Sequence, residues 1–126
     1  SAQDAFISGL ENTEYIDLLS SSLEPLRQTG LLTDLGAHID RDYTTTQNSV
    51  IHGSPSGLAF KMEKENFPNT VVWNPGESLA DTFTDLNAQG ASKMVCMEAA
   101  LCNQISLPAG ESYEQKMRLN PLLLKK

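Results

Sequence analysis

Turn-forming residues recur so often along this chain that the segments between them stay short. They stand at Gly9, Gly30, Gly36, Gly53 with Pro55 and Gly57, Pro68-Asn69, Pro75-Gly76, Gly90, and Pro108 to Gly110. Several of the intervening segments alternate. In "GLAFKMEK" Leu58, Phe60 and Met62 oppose Ala59, Lys61 and Glu63. In "SYEQKMRL" Tyr113, Met117 and Leu119 oppose Glu114, Lys116 and Arg118, and "NTVVWN" is a short β-branched and aromatic run that stops at Pro75. Period-two patterning broken by turns every ~8–12 residues is the signature of an all-β, antiparallel β-sandwich or barrel. One stretch departs from it. "ESLADTFTDLNAQG" spaces Leu79, Phe83 and Leu86 for a short helix or helical turn ending at Gly90. "SSSLEPLRQTG" reads as a mobile loop and "PLLLKK" as a loose tail with solvated lysines.

The chain has 126 residues, enough for one small domain with a core, and it shows no internal repeat. Its net charge of -7 disfavours nucleic-acid backbones and anionic membrane surfaces as partners. No apolar run approaches the roughly 20 residues that cross a bilayer. The start, "SAQDAFISGL", has no signal-peptide pattern. Cys96 and Cys102 fit neither a zinc site nor a disulfide scaffold and read as reduced thiols. Together these features make a cytoplasmic protein the expectation.

Two stretches carry candidate chemistry. "MVCMEAALC", Met94 to Cys102, holds a single acid, Glu98, in an apolar run. In a strand, Glu98 shares a face with Met94 and Cys96. Desolvation there would raise its pKa and make it a usable general base. The alternative is a rim carboxylate that pairs with Lys or Arg or reaches solvent. In "HIDRDY", Asp40 and Asp42 flank Arg41 and point the same way in a strand. They read either as a cluster that bonds sugar hydroxyls or as local Asp–Arg pairing. His38 and His52 are isolated, so no metal site is read. "GSPSG" matches neither a Walker A loop nor a dinucleotide fingerprint, and no cofactor is implied.

Taken in order, these stretches resemble the glucose-6-phosphate 1-epimerase branch of the aldose 1-epimerase (galactose mutarotase-like) superfamily. The resemblance rests on "ISGLENTEYID" (Ile7 to Asp17), "DRDY" (Asp40 to Tyr43), "VVWNPG" (Val71 to Gly76) and "FTDL" (Phe83 to Leu86). "KMVCMEAA" (Lys93 to Ala100) and "LPAGESYEQKMRL" (Leu107 to Leu119) complete it. It implies a galactose mutarotase-like supersandwich, of which residues 1–126 form an incomplete C-terminal portion of a single domain. It also implies interconversion of the α and β anomers of an aldose, here a hexose 6-phosphate, by general acid–base ring opening without metal or nucleotide. By motif position, Glu98 is the base and Asp40 the residue that orients sugar hydroxyls.

The family's catalytic histidine lies in a His-Thr-Tyr-Phe-like motif upstream of the Gly-Leu segment, and neither His38 nor His52 occupies that motif. Arg27, Arg41 and Arg118 receive no role. The isolated chain is therefore expected to be inactive. Half a sandwich exposes an apolar face and strand edges, so the chain is expected to pair with the missing N-terminal part or to self-associate. The alternative reading is a non-catalytic carbohydrate-binding or interaction module on the same fold. An unrelated small β-protein ranks behind both.

Overall fold

A computed structural model describes residues 1–53 and 57–123. The Pro55 turn signal, the middle of "GSPSG" and Lys125 and Lys126 lie outside the described residues. The chain forms β1 (Phe6–Ser8), β2 (Glu14–Asp17), β3 (Leu26–Arg27), β4 (Ile39–Thr44) and β5 (Ser49–His52). These are followed by β6 (Leu58–Glu65), β7 (Asn69–Asn74), α1 (Gly76–Ala80), β8 (Cys96–Ala100) and β9 (Lys116–Leu123). The strands assemble into a four-stranded sheet, β1-β5-β6-β9, and a five-stranded sheet, β3-β2-β4-β7-β8. Every strand pairing is antiparallel. The architecture is the all-β sandwich that the alternating segments predict.

The two sheets meet over a core to which β1 contributes Ile7 and the five-stranded sheet contributes Ile39, Tyr43 and Val72. Leu10, Leu32 and Leu35 close it from the connections, and Tyr15, Ile51 and Met97 pack at its margin. Paired residues of neighbouring strands emerge on one face of a sheet. The register Tyr15↔Tyr43↔Thr70 and Arg41↔Val72↔Met97 therefore defines the inward face of the five-stranded sheet. Lys64 of β6 spans from one sheet to the other. Its ammonium donates to the Asn69 carbonyl and to Thr70 Oγ1, each at 2.7 Å, and to the Thr45 carbonyl.

The turn after β7 is built around Asn74, which is fully buried. Its Nδ2 donates to the carbonyls of Leu35 (2.7 Å), Ala91 (2.9 Å) and Met94 (2.6 Å), while Oδ1 accepts from the Gly76 N–H (2.8 Å). One amide thus ties the approach to β4, the exit of β7 and the entry to β8. Gly76 follows at φ +66°, and a Cβ there would lie 2.9 Å from His38 Cβ, so only glycine fits without displacement.

Three local expectations change. The helical stretch holds only Gly76–Ala80 as α-helix, because Thr82 and Phe83 turn back on the carbonyls of Leu79 and Ala80 instead of extending it. The segment read as a mobile loop contains β3, which pairs with β2 through Glu14↔Arg27 and Tyr15↔Leu26. The tail read as loose is ordered through Leu123, because β9 runs antiparallel along all of β6 from Glu65↔Lys116 to Leu58↔Leu123.

β6 and β9 extend the core-facing side of the four-stranded sheet beyond the part that the other sheet covers. Phe60 is 42% exposed, Met117 50%, Leu119 55% and Leu123 84%. Their positions are in register (Phe60↔Pro121, Met62↔Leu119, Leu58↔Leu123), so they form one open apolar surface.

Candidate active site

The acids picked out in the sequence lie on the other side of the five-stranded sheet. Register places Asp40, Trp73 and Cys96 on one rung across β4, β7 and β8, and Asp42, Val71 and Glu98 on the next. All six side chains leave the face turned away from Tyr43 and Val72, because strand side chains alternate. With strands ~4.8 Å apart and residues rising ~3.3 Å, the Cα atoms of Asp40 and Glu98 are about 12 Å apart. That gap is too wide for both carboxylates to act on one atom. It suits two groups that hold opposite ends of one small molecule.

The carboxylates have different surroundings. Asp42 accepts from Asn69 Nδ2 at 2.8 Å and bonds the Cys102 thiol, while Asn69 Oδ1 accepts the Cys102 N–H at 3.2 Å. Burial, the Asp42 bond and the Asp42 charge push that thiol up to about 11. Asp42 thus anchors the segment that leaves β8. Asp40 is half-buried and Glu98 is exposed. Among the described residues neither carboxylate has a hydrogen-bond or ion-pair partner. Of the alternatives open for Glu98, pairing with Lys or Arg is absent among the described residues. Its carboxylate reaches solvent, the alternative to a desolvated base that the sequence left open.

Trp73 lies half-buried between Asp40 and Cys96, with the Phe83 ring 6.5 Å away at 32°. Burial, then the charge of Glu98, raises the Cys96 thiol above its ordinary range.

Arg41 does not join the acids beside it in the chain. It points to the inward face, where Nη1 donates to Gln28 Oε1 (3.3 Å) and Tyr43 OH (3.4 Å) and the guanidinium lies 4.7 Å from the Tyr15 ring centre. The local Asp–Arg pairing considered for this motif is therefore not formed. His52 lies on the four-stranded sheet, stacked on Phe6 at 4.4 Å and bonded to Ser8 Oγ at 2.8 Å. His38 is exposed ahead of β4. His52 therefore does not face Glu98. Among the described residues no group of three or more His, Cys, Asp or Glu could hold a metal ion. No helix among them is long and apolar enough to cross a membrane.

Sequence reasoning left out Trp73. The run "VVWN" puts Val71 and Trp73 on one side of a strand, but only the pairing of β7 between β4 and β8 sets that side between Asp40 and Glu98.

Fold and face together define an all-β sandwich with an acidic, aromatic outer sheet surface. No family model matches the chain, and no solved structure matches it. Curated proteins do. A protein of Cenchrus ciliaris is 28% identical over 116 residues, covering 90% of this chain and 35% of the relative. A protein of Escherichia coli (strain K12) is 28% identical over 99 residues, covering 78% of this chain and 33% of the relative. Each bears the name "Putative glucose-6-phosphate 1-epimerase". The chain is thus similar to proteins named as glucose-6-phosphate 1-epimerases over most of its own length, and it spans about a third of theirs.

Proposed function

We propose that this chain is the base-bearing part of an aldose 1-epimerase that acts on a hexose 6-phosphate such as glucose 6-phosphate. The observation that carries the reading is the placement of Glu98 and Asp40. They share one sheet face, with no partner among the described residues, across a gap on the scale of a hexose with its hydroxyls. The names of the relatives supply the substrate class.

Glu98 takes the proton of the anomeric hydroxyl while an acid delivers one to the ring oxygen, and the bond from C1 to the ring oxygen breaks. The open aldehyde turns about C1–C2. On closure the freed ring-oxygen hydroxyl bonds to the other face of C1, Glu98 gives its proton to the carbonyl oxygen to make the new anomeric hydroxyl, and the attacking hydroxyl's proton returns to the acid. Asp40 accepts hydrogen bonds from hydroxyls at the far end and fixes the sugar's position. His52 lies on the other sheet and neither His38 nor His52 occupies the motif of the family's catalytic histidine, so the acid is assigned to polypeptide outside this chain and the isolated chain is inactive. The same additional polypeptide covers the apolar surface of Phe60, Met117, Leu119 and Leu123.

The test is anomer exchange of glucose 6-phosphate, followed by polarimetry or NMR, in a polypeptide that contains this segment and its completing part. Catalysed exchange that Glu98→Gln abolishes supports the reading. Saturable sugar binding without catalysed exchange supports the alternative, a non-catalytic carbohydrate-binding module, which the exposure of Glu98 favours.

A further inference from the structure

We infer that Trp73 is the platform on which the sugar ring rests, and that the phosphate of the substrate is held away from this face. The inference rests on the reading of the Asp40–Glu98 face as a sugar site. Trp73 is the direct register partner of Asp40, and Glu98 lies on the adjacent strand one rung further along. Cross-strand neighbours stand ~5 Å apart and diagonal ones ~7–8 Å, within reach of an aromatic side chain. The indole therefore occupies the floor between the two unpartnered acids. Phe83 lies against it on one side, while part of the indole stays open to the face.

A large aromatic surface left open among hydrogen-bond acceptors matches the chemistry of a pyranose. The C–H groups of the ring pack on an apolar plane, and the hydroxyls around the rim donate outward. The charge pattern sets the second half of the inference. On this face β4, β7 and β8 present Asp40, Asp42 and Glu98 and no lysine or arginine. A dianionic phosphate near three carboxylates is repelled, so this face reads the ring and not the phosphate.

Trp73 is the only tryptophan of the chain, so intrinsic fluorescence reports on it alone. The experiment titrates the chain with glucose, glucose 6-phosphate and inorganic phosphate, reading emission together with saturation-transfer NMR of the sugar. Glucose is expected to shift Trp73 emission saturably and to bind at least as tightly as glucose 6-phosphate, with no response to phosphate. Trp73→Leu is expected to weaken glucose binding about tenfold, and Trp73→Phe to retain most of it. Sugar is also expected to slow alkylation of Cys96, which shares the rung, but not of Cys102. That measurement needs no substitution.

Sugar binding by NMR with unchanged emission, unprotected Cys96 and full affinity in Trp73→Leu would overturn the platform and leave the proposed function standing. Tighter binding of glucose 6-phosphate than glucose by this chain would overturn the phosphate statement alone. Absence of any sugar signal would remove the sugar-site reading, and the platform with it.

Discussion

Asp40 and Trp73 are register partners on adjacent antiparallel strands, and their side chains leave the five-stranded sheet on the same side. Arg41, the next residue after Asp40, leaves on the other side and packs over Tyr15. A contiguous motif is therefore divided between two environments, one facing outward and one facing the core.

Glu98 carries the chemistry of the proposed reaction. In a polypeptide that contains this segment and the completing acid, Glu98→Gln is expected to lower the exchange rate by about 10²–10⁴-fold. Because Glu98 is exposed, the unfolding midpoint should stay nearly constant. Asp40→Asn is expected to act mainly on KM. Unchanged exchange in Glu98→Gln, measured by NMR on equilibrium glucose 6-phosphate, rejects Glu98 as the base.

Asn74 is a structural element of the site although it faces the core side. Replacing it with Ala leaves the Leu35, Ala91 and Met94 carbonyls and the Gly76 N–H without their shared partner. A buried group left unsatisfied costs about 1–3 kcal/mol, so Asn74→Ala is expected to destabilise by about 2–4 kcal/mol in urea unfolding. It should also loosen the entry to β8, and hence the position of Cys96. A loss below about 1 kcal/mol would show that the amide is not a clamp.

Lys64 gives a pH signature. Burial lowers its pKa to about 8, against the pull of Asp42, from an ordinary value near 10.4 in unfolded chains. Between these values the unfolded chain binds more protons, so this residue's contribution to stability rises with pH over about 8 to 10.4 and is lost as pH falls through about 8. Cys102, raised to about 11, acts in the opposite sense above about 8.5. The stability difference between the parent chain and Lys64→Met isolates the lysine. It is expected to shift in favour of the parent as pH rises from 8 to 10, and a flat difference would count against a depressed pKa.

The open surface of β6 and β9 predicts association of the isolated chain. Light scattering is expected to show species larger than a monomer, and ANS to bind. The paired change Phe60→Lys and Leu119→Glu should reduce both signals with little change in the Ile7–Tyr43 core. These positions are partly or largely exposed, so charge there carries little desolvation penalty. A monodisperse monomer without ANS binding would show that nothing is meant to cover this face.

The amino-acid sequence by itself determined the strand segments, their alternation and the acids Asp40 and Glu98. Period two is a local property, and "GLAFKMEK", "NTVVWN" and "KMVCMEAA" each carry most of a strand within their own residues. Asp40 and Asp42 fall on one side for the same reason. The start of β9 was legible in the alternation of "SYEQKMRL", but its continuation to Leu123 was not, because that part is held by pairing with β6 across more than fifty residues of chain. The short helix is present but ends at Ala80, because local apolar spacing says nothing about the turn at Thr82 and Phe83.

Tertiary structure alone decided which residues face one another. Alternation assigns two sides to a strand, but only hydrogen-bond register between distant strands says which sides coincide. That register put Trp73 between Asp40 and Cys96, committed Asp42 to Asn69 and Cys102, and turned Arg41 inward. It also left Glu98 in solvent, deciding between the desolvated and the solvent-reaching carboxylate that its apolar neighbours in the chain had left open.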